Sequence, residues 1–321
     1  MSKTKALYTD YPWADADIER ERLAELDCEL IISPDNHEET LIELAPGCHV
    51  ILTCWAPVTE RVIEAAADCR HIARTGIGLD NIDVAAASAR GILVTNVPDY
   101  CNLEVAEQTI GSIFTLARYL HGYHLATKSG EYNLVKGLPV TRVEGKTLGV
   151  VGLGRIGSLV AQKALALGMK VVGTNRSQQC PVGVQWLPLE ELLSVSDYVS
   201  LHTPLTDDTQ HLIDESALAQ MKPTAALINT SRGGLIDHTA LASALDENRL
   251  AGAALDVQDP EPPNLAEPPW NHPRVIVTPH IAFLSPESVR ELRTRVAQQM
   301  ADFLNGKQPE NIVNPEVLST D

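Results

Sequence analysis

The chain has 321 residues, 44% of them hydrophobic, which is enough to build the cores of one large or two ordinary domains. Its formal net charge of −17 and its pI of about 5.0 describe a surface that repels phosphate backbones and anionic lipids. With no run of 18 apolar residues and no apolar leader, the sequence predicts a cytoplasmic protein without nucleic-acid or membrane partners.

The first hundred residues alternate short apolar runs with helical stretches. Five buried strands rich in Val, Ile and Leu are predicted at residues 6–9, 29–33, 50–54, 71–75 and 92–96. Four helices are predicted between them, at residues 16–26, 38–44, 59–67 and 84–89. Alternation of this kind indicates a parallel sheet with helices on both faces.

A long helix is predicted next, over residues 103–128 with Asn102 as its N-cap, followed by an irregular arm at 130–144. A second alternation then begins. Its strands are predicted at residues 146–152, 170–174, 198–202, 225–230, 252–257 and 275–278. Its helices are predicted at residues 154–167, 189–194, 215–220 and 239–247. The Pro- and Glu-rich segment 259–269 is predicted to be a surface loop, and 287–304 a last amphipathic helix.

The segment GLGRIG, residues 152–157, follows the apolar run 148–151 and opens a predicted helix. In a dinucleotide-binding loop the first glycine makes the tight turn, the second lets the backbone approach the pyrophosphate, and the third lets the helix pack on the strand. Gly152, Gly154 and Gly157 take these places, and Arg155 and Ile156 begin the helix whose N–H groups attract phosphate. The pattern predicts a nicotinamide dinucleotide site.

The acid that normally binds the ribose 2′-hydroxyl about 20 residues further on is missing, since no Asp or Glu occurs between Gly157 and Glu190. Its place holds Asn175, Arg176 and Ser177. A guanidinium fork with neutral donors beside it suits a 2′-phosphate, so NADP(H) is predicted in preference to NAD(H). The alternative is that Arg176 is a solvated residue and NAD(H) is bound.

Three further segments carry a chemically active side chain at or after the end of a predicted strand. They hold Arg232, Glu261 and His280. Strand ends of a doubly wound sheet meet at one cleft, so these groups are expected to converge there. Arg can bind a carboxylate with two hydrogen bonds, His can exchange a proton near neutral pH, and a neighbouring Glu favours the protonated imidazole.

Taken together, these segments resemble the D-isomer-specific 2-hydroxyacid dehydrogenases over almost the whole chain. The resemblance includes the glycine loop and the segments GIGLDNID at 76–83 and LHTPLT at 201–206. It implies an α/β fold of two doubly wound domains, in which a Rossmann dinucleotide-binding domain, 101–285, is inserted into a flavodoxin-like substrate domain, 1–100 and 286–321. It also implies a homodimer, formed partly by the arm at 130–144.

The resemblance assigns roles residue by residue. Arg232, Glu261 and His280 would be catalytic: Arg232 binds the substrate carboxylate, His280 protonates the keto oxygen, and Glu261 pairs with His280. The glycine loop, with Arg155 and Ile156, would contact the cofactor, and Asp256 would contact its nicotinamide carboxamide. The other cofactor contacts would come from Asn175, Arg176, Ser177, His202, Thr203, Pro204, Thr209, Thr230, Arg232 and His280. Substrate contacts would come from Trp55, Ile77, Gly78, Tyr100, Arg232, His280 and Phe283.

Three positions depart from the common pattern of the family. Cys101 stands where Asn is frequent, Gln258 where Phe is frequent, and Ala282-Phe283 where Gly-Gly is frequent. These features resemble a subgroup related to the C-terminal-binding-protein corepressors, and they leave the substrate open: glyoxylate or hydroxypyruvate, or a more apolar 2-keto acid if the aromatic residues line the pocket rather than pack.

The predicted function is therefore NAD(P)H-dependent reduction of a 2-keto acid to a D-2-hydroxy acid. A dinucleotide-sensing scaffold with little turnover is the alternative, and an NAD-dependent dehydrogenase running oxidatively is a third. The six cysteines contain no Cys-x-x-Cys pair, so reduced thiols are expected. His121 and His124 lack further ligands nearby in the sequence, so no metal site is predicted.

Overall fold

The computed structural model describes residues 3–134 and 140–319 and divides into two compact units. Unit 1 comprises Met1–Tyr100 and Ser285–Asp321, and unit 2 comprises Cys101–Leu284. The second boundary lies one residue before the predicted one. Both units consist of parallel strands with intervening helices, which confirms the predicted α/β class.

Within the described residues, unit 1 has a sheet of five parallel strands in the order β2-β1-β3-β4-β5. The strands are β1 Thr4–Tyr8, β2 Cys28–Ile32, β3 Val50–Thr53, β4 His71–Arg74 and β5 Leu93–Thr95. The helices between them are α1 Asp17–Ala24, α2 Glu38–Leu44, α3 Glu60–Ala65 and α4 Val84–Ala89. This strand order is that of flavodoxin-like sheets, and it reverses between β1 and β3.

Unit 2 begins with two helices where the sequence predicts one: α5 Asn102–Arg118 and α6 Leu120–Lys128. The break is at Tyr119, whose backbone is left-handed, with φ 49° and ψ 39°. The Tyr119 ring lies over Gly122, where a Cβ would come within 2.2 Å of it. The prediction of one helix is therefore wrong, and so is that of Asn102 as N-cap, because Cys101 occupies that position without a side-chain cap.

The described part of unit 2 forms a seven-stranded parallel sheet in the order β12-β11-β10-β9-β6-β7-β8. Its strands are β6 Thr147–Val151, β7 Lys170–Thr174, β8 Val184–Trp186, β9 Tyr198–Leu201, β10 Ala226–Asn229, β11 Gly252–Leu255 and β12 Val275–Val277. Its further helices are α7 Arg155–Ala166, α8 Leu189–Val195, α9 Glu215–Gln220 and α10 His238–Asp246. This is the Rossmann order with one additional parallel strand, and it reverses between β6 and β9.

Side chains of unit 2 alternate between two cores, one on each face of the sheet. On β6, Leu148 and Val150 pack in one core and Val151 in the other, and β10 repeats this with Ile228 and Leu227. Burial on both faces explains why the strands read as continuous apolar runs. Strand β8 was not predicted, because VQW is short and lies only partly buried at the sheet edge.

The last helix, α11 Pro286–Leu304, belongs to unit 1. Ser285 caps it through a reciprocal pair of hydrogen bonds with Ser288. Its Arg293 donates from Nε and Nη2 to the carboxylate of Glu19 on α1, at 2.9 and 2.8 Å, and the Glu19 side chain is buried. A buried ion pair therefore joins the first and last helices of the chain.

No helix in the described residues combines the length and apolar character required to cross a bilayer. The predicted arm, 130–144, lies partly outside the described residues, since 135–139 are not among them.

Candidate active site

The strands of unit 2 are in register across the sheet, so their carboxyl ends form one row. Pairing aligns Val151, Leu201, Asn229, Leu255 and Val277. The residues that follow them, at the edge of the sheet, are Gly152, His202, Thr230, Asp256 and Thr278. The predicted catalytic residues lie at most six positions further along the chain. The sheet thus collects the predicted groups of unit 2 at one edge.

The glycine loop leaves space for a ligand at one glycine and none at the other two. A Cβ on Gly152, whose φ is +95°, would lie 2.5 Å from the backbone oxygen of His202, and one on Gly157 would lie 1.9 Å from that of Gly152. A Cβ on Gly154 would meet no atom within 4 Å. Gly154 is also the N-cap of α7 and makes no side-chain cap, so it exposes the N–H groups of the first helical turn. These residues fit the pyrophosphate of a dinucleotide.

Gly154→Ala and Gly157→Ala should separate binding from stability. Gly154→Ala should leave the melting temperature almost unchanged, because its backbone is extended and its Cβ meets open space, but it should weaken NADPH binding by about tenfold. Gly157→Ala should lower the free energy of unfolding by about 1–3 kcal/mol, since its Cβ overlaps a carbonyl. Thermal unfolding measures the stability of each variant, and fluorescence titration with NADPH measures its affinity for the cofactor. Native affinity in Gly154→Ala would contradict the assignment of this loop.

The residues that follow β7 are those predicted to contact the adenosine end of the cofactor. Asn175 Nδ2 donates to the Gln179 oxygen at 2.7 Å, and its buried Oδ1 has no hydrogen-bond partner in the described chain. An unpaired acceptor of this kind suits a ribose hydroxyl. Ser177 Oγ accepts from the Gln179 N–H at 3.4 Å. Arg176 is 80% exposed and donates from Nη2 to Asp208 Oδ2 at 3.1 Å.

Other predicted cofactor residues serve to shape the loops after β9 and β10. Nε2 of His202 lies 2.7 Å from Ser200 Oγ, and burial lowers the pKa of His202 to about 4, so its imidazole is neutral near pH 7. The Thr203 oxygen accepts from Ser231 Oγ at 2.7 Å. Thr230 Oγ1 lies 3.1 Å from Thr109 Oγ1 of α5.

The turn that presents Arg232 is held by the buried Asn229. Asn229 Oδ1 accepts from the Ser231 N–H at 3.0 Å, and its Nδ2 donates to the Arg232 oxygen at 2.8 Å. A Cβ on the next residue, Gly233, would lie 2.1 Å from the Gln258 backbone, so only glycine allows this turn to pack on the loop that carries Glu261. Arg232 Nη1 donates to the Ser231 oxygen at 2.7 Å.

Glu261 and His280 form a directly hydrogen-bonded pair. His280 Nδ1 lies 2.9 Å from Glu261 Oε2, while Glu261 Oε1 accepts from the Gln258 N–H at 2.8 Å. Burial raises the pKa of Glu261, but the hydrogen bond and charge of His280, the Gln258 N–H and the charge of Arg232 outweigh it and hold that pKa below its usual value. Glu261 is therefore a carboxylate that fixes the imidazole through Nδ1.

His280 lies in a strained turn that Asp256 stabilises. Its φ is +53°, which is uncommon for a residue with a Cβ. The Asp256 carboxylate accepts from the Thr278 hydroxyl and from the N–H groups of Ile281 and Ala282, at 3.0 and 2.8 Å for the two N–H groups, and its backbone oxygen accepts from the His280 N–H at 2.8 Å. The predicted contact of Asp256 with the nicotinamide carboxamide stays a prediction. The structure adds the support of this turn, which the sequence did not suggest.

Two residues that depart from the common family pattern, Phe283 and Gln258, lie near the Glu261–His280 pair. The Phe283 ring lies edge-on to the imidazole, with ring centres 6.2 Å apart. Gln258 is buried and donates from Nε2 to the oxygens of Leu255 and Thr278, at 3.3 and 3.0 Å, so it joins the ends of β11 and β12.

The substrate residues predicted in unit 1 lie on the loops after its strands. Trp55 is 40% exposed, and its backbone N–H donates to Asp10 Oδ2 at 2.8 Å. Tyr100 is buried, at 8% exposure. The N–H groups of Ile77 and Gly78 form no hydrogen bond with any described residue, which leaves them able to bind an anion.

Comparison with known proteins gives consistent matches. Residues 110–282 match the family described as D-isomer specific 2-hydroxyacid dehydrogenase, NAD binding domain. The chain is 38% identical over 292 residues to a glyoxylate reductase of Korarchaeum cryptofilum (strain OPF8), covering 88% of this chain and 87% of that protein. It is 39% identical over 282 residues to a D-3-phosphoglycerate dehydrogenase of Methanocaldococcus jannaschii, covering 86% of this chain and 53% of that protein, so it spans about half of that relative.

The fold also matches solved structures. An acyclic imino acid reductase (Bsp5) in complex with NADPH and D-Arg superimposes with a TM-score of 0.86 at 30% identity, covering 97% of this chain and all of that one. No group of His, Cys, Asp and Glu suited to a metal ion occurs in the described part of the chain.

Proposed function

The chain belongs to the D-isomer-specific 2-hydroxyacid dehydrogenase family, and from that premise we propose that it reduces a 2-keto acid to a D-2-hydroxy acid with NADPH as its preferred cofactor. The observation that carries the proposal is the Glu261–His280 pair, 2.9 Å apart, within the electrostatic reach of Arg232. An acid held in place by a carboxylate and accompanied by a guanidinium is what keto acid reduction requires.

A nicotinamide dinucleotide, when held by the glycine loop, would supply the hydride for the keto carbon. In our proposal, His280 donates the proton from Nε2 to the keto oxygen, and Glu261 holds the imidazole in place through Nδ1. Arg232 binds the substrate carboxylate with its guanidinium fork and polarises the keto oxygen. The N–H groups of Ile77 and Gly78 are proposed as further carboxylate donors.

The preference for NADPH rests on the adenosine end of the site. Arg176 stands after β7 where an acid would repel a 2′-phosphate, and its guanidinium is largely exposed. The solved imino acid reductase, a related chain, is in complex with NADPH. The hydroxyls of Thr174 and Ser177 add neutral donors beside Arg176.

Arg176→Gln should raise the KM for NADPH by about tenfold and change the KM for NADH by less than about twofold, because the lost charge interacts only with the phosphate. Initial rates with each cofactor at saturating keto acid measure both constants. Arg249→Gln, which removes a half-buried charge paired with Glu247, serves as the control. Equal effects on the two cofactors would contradict the assignment of Arg176.

The substrate is proposed to be glyoxylate, hydroxypyruvate or a more apolar 2-keto acid. The segment 54–58, which carries Trp55, contains no cation that could pair with a phosphorylated side chain. Initial rates of NADPH and NADH oxidation with glyoxylate, hydroxypyruvate, pyruvate, phenylpyruvate and a branched-chain keto acid test the proposal. Cofactor binding without turnover of any of these acids would instead support a dinucleotide-sensing scaffold.

The homodimer and the cytoplasmic location remain predictions, the first inherited from the family and the second from composition. Sedimentation and localisation experiments would test them.

A further inference from the structure

The loop after β9 places the carboxylate of Asp208 on Arg176, the residue proposed to bind the 2′-phosphate. Asp208 Oδ2 accepts from Arg176 Nη2 at 3.1 Å, although the two residues are 32 positions apart. Thr209 holds the loop in shape, since its Oγ1 accepts from the Thr206 N–H at 2.7 Å and donates to the Pro204 oxygen at 2.8 Å. Asp208 therefore occupies a defined position on the guanidinium.

We infer that Asp208 competes with the 2′-phosphate of NADP(H) for Arg176 and so sets how strongly the site prefers NADP(H) over NAD(H). The inference rests on the proposed role of Arg176. A phosphate that reaches Nη2 must displace the carboxylate or lie beside it, and two anions on one guanidinium repel each other. NAD(H) carries no 2′-phosphate, so it leaves the ion pair intact.

The ion pair is weak enough to be displaced. Its two side chains are 80% and 82% exposed, and ion pairs this exposed contribute little because water and salt screen them. A phosphate dianion can therefore replace Asp208 on Arg176 at moderate cost. The competition is expected to reduce the preference for NADP(H) without abolishing it, which gives a site that accepts both cofactors.

The test is the affinity of Asp208→Asn for two fragments, 2′,5′-ADP and 5′-AMP, measured by calorimetry at low and high salt. Removing the competitor should tighten 2′,5′-ADP binding by roughly threefold to fivefold at low salt, with a smaller gain at high salt. Binding of 5′-AMP should change by less than about twofold. The matched control is Asp207→Asn, which changes the net charge equally on the same loop, where the described structure gives Asp207 no ion pair with Arg176.

A gain for 2′,5′-ADP in Asp208→Asn that exceeds the gain in Asp207→Asn supports the inference. Equal gains in the two variants, or weaker binding in Asp208→Asn, would overturn it. The Arg176→Gln variant distinguishes this failure from that of the proposed function. If wild type binds 2′,5′-ADP more tightly than Arg176→Gln does, Arg176 is the phosphate ligand whatever Asp208 does; if the two bind it equally, the NADP(H) proposal itself fails.

Discussion

Replacing His280 with alanine should lower kcat for the 2-keto acid by about 10²- to 10⁴-fold, the contribution typical of a general acid. Among the described residues, His280 is the only imidazole that pairs with Glu261, and Glu261 holds no other side chain that could donate the proton. KM for the keto acid should change much less, because in the proposed mechanism Arg232 binds its carboxylate independently of His280. Steady-state rates at saturating NADPH, together with single-turnover rates, measure the loss at the chemical step.

His124→Ala is the matched control for His280→Ala, since His124 is an exposed imidazole on α6. It should leave kcat unchanged. A melting temperature near wild type in both variants would show that the fold is intact. If His280→Ala turned over within threefold of wild type, His280 could not be the proton donor.

Arg232→Lys should lower kcat/KM for the 2-keto acid by roughly 10²-fold. Lysine keeps the charge but loses the planar fork that matches a carboxylate with two parallel hydrogen bonds. The turn should survive, because Asn229 holds it through backbone atoms of Ser231 and Arg232 rather than through the guanidinium. The loss should therefore appear in kcat/KM and not in the melting temperature.

Arg249→Lys, the same substitution at an exposed ion pair, controls for the chemical change itself. Affinity for 2′,5′-ADP should be unaltered in Arg232→Lys, because that fragment lacks the nicotinamide end. A kcat/KM within threefold of wild type would show that the fork does not bind the substrate.

The parts of this protein that the sequence predicted are those encoded by local pattern. The glycine pattern predicts a tight turn at Gly152, an open space at Gly154 and a close packing contact at Gly157, and the structure shows each of these. Helices and strands with clear apolar periodicity were placed within a few residues. Arg232, Glu261 and His280 follow strand ends, so the register of a parallel sheet sufficed to expect Glu261 near His280.

What the sequence did not predict depends on contacts between distant residues or on one unusual backbone angle. The break between α5 and α6 follows from the left-handed backbone of Tyr119 and from the absence of a Cβ at Gly122, where the Tyr119 ring lies. Neither feature changes the helical periodicity of the sequence. The ion pair of Asp208 with Arg176 joins segments 32 residues apart, and the anchoring of the His280 turn by Asp256 joins segments 22 to 26 residues apart. Such contacts exist only once the sheet has formed.

The buried pair between Arg293 and Glu19 has a consequence for the order in which the chain folds on the ribosome. Unit 2 is continuous in sequence, so it can fold as soon as it emerges. Unit 1 cannot, because Glu19 is made early and its partner is made 274 residues later. Until α11 emerges, α1 lacks both the helix that it packs against and the guanidinium that pairs with Glu19. The N-terminal segment of unit 1, Met1–Tyr100, is thus made first but completed last.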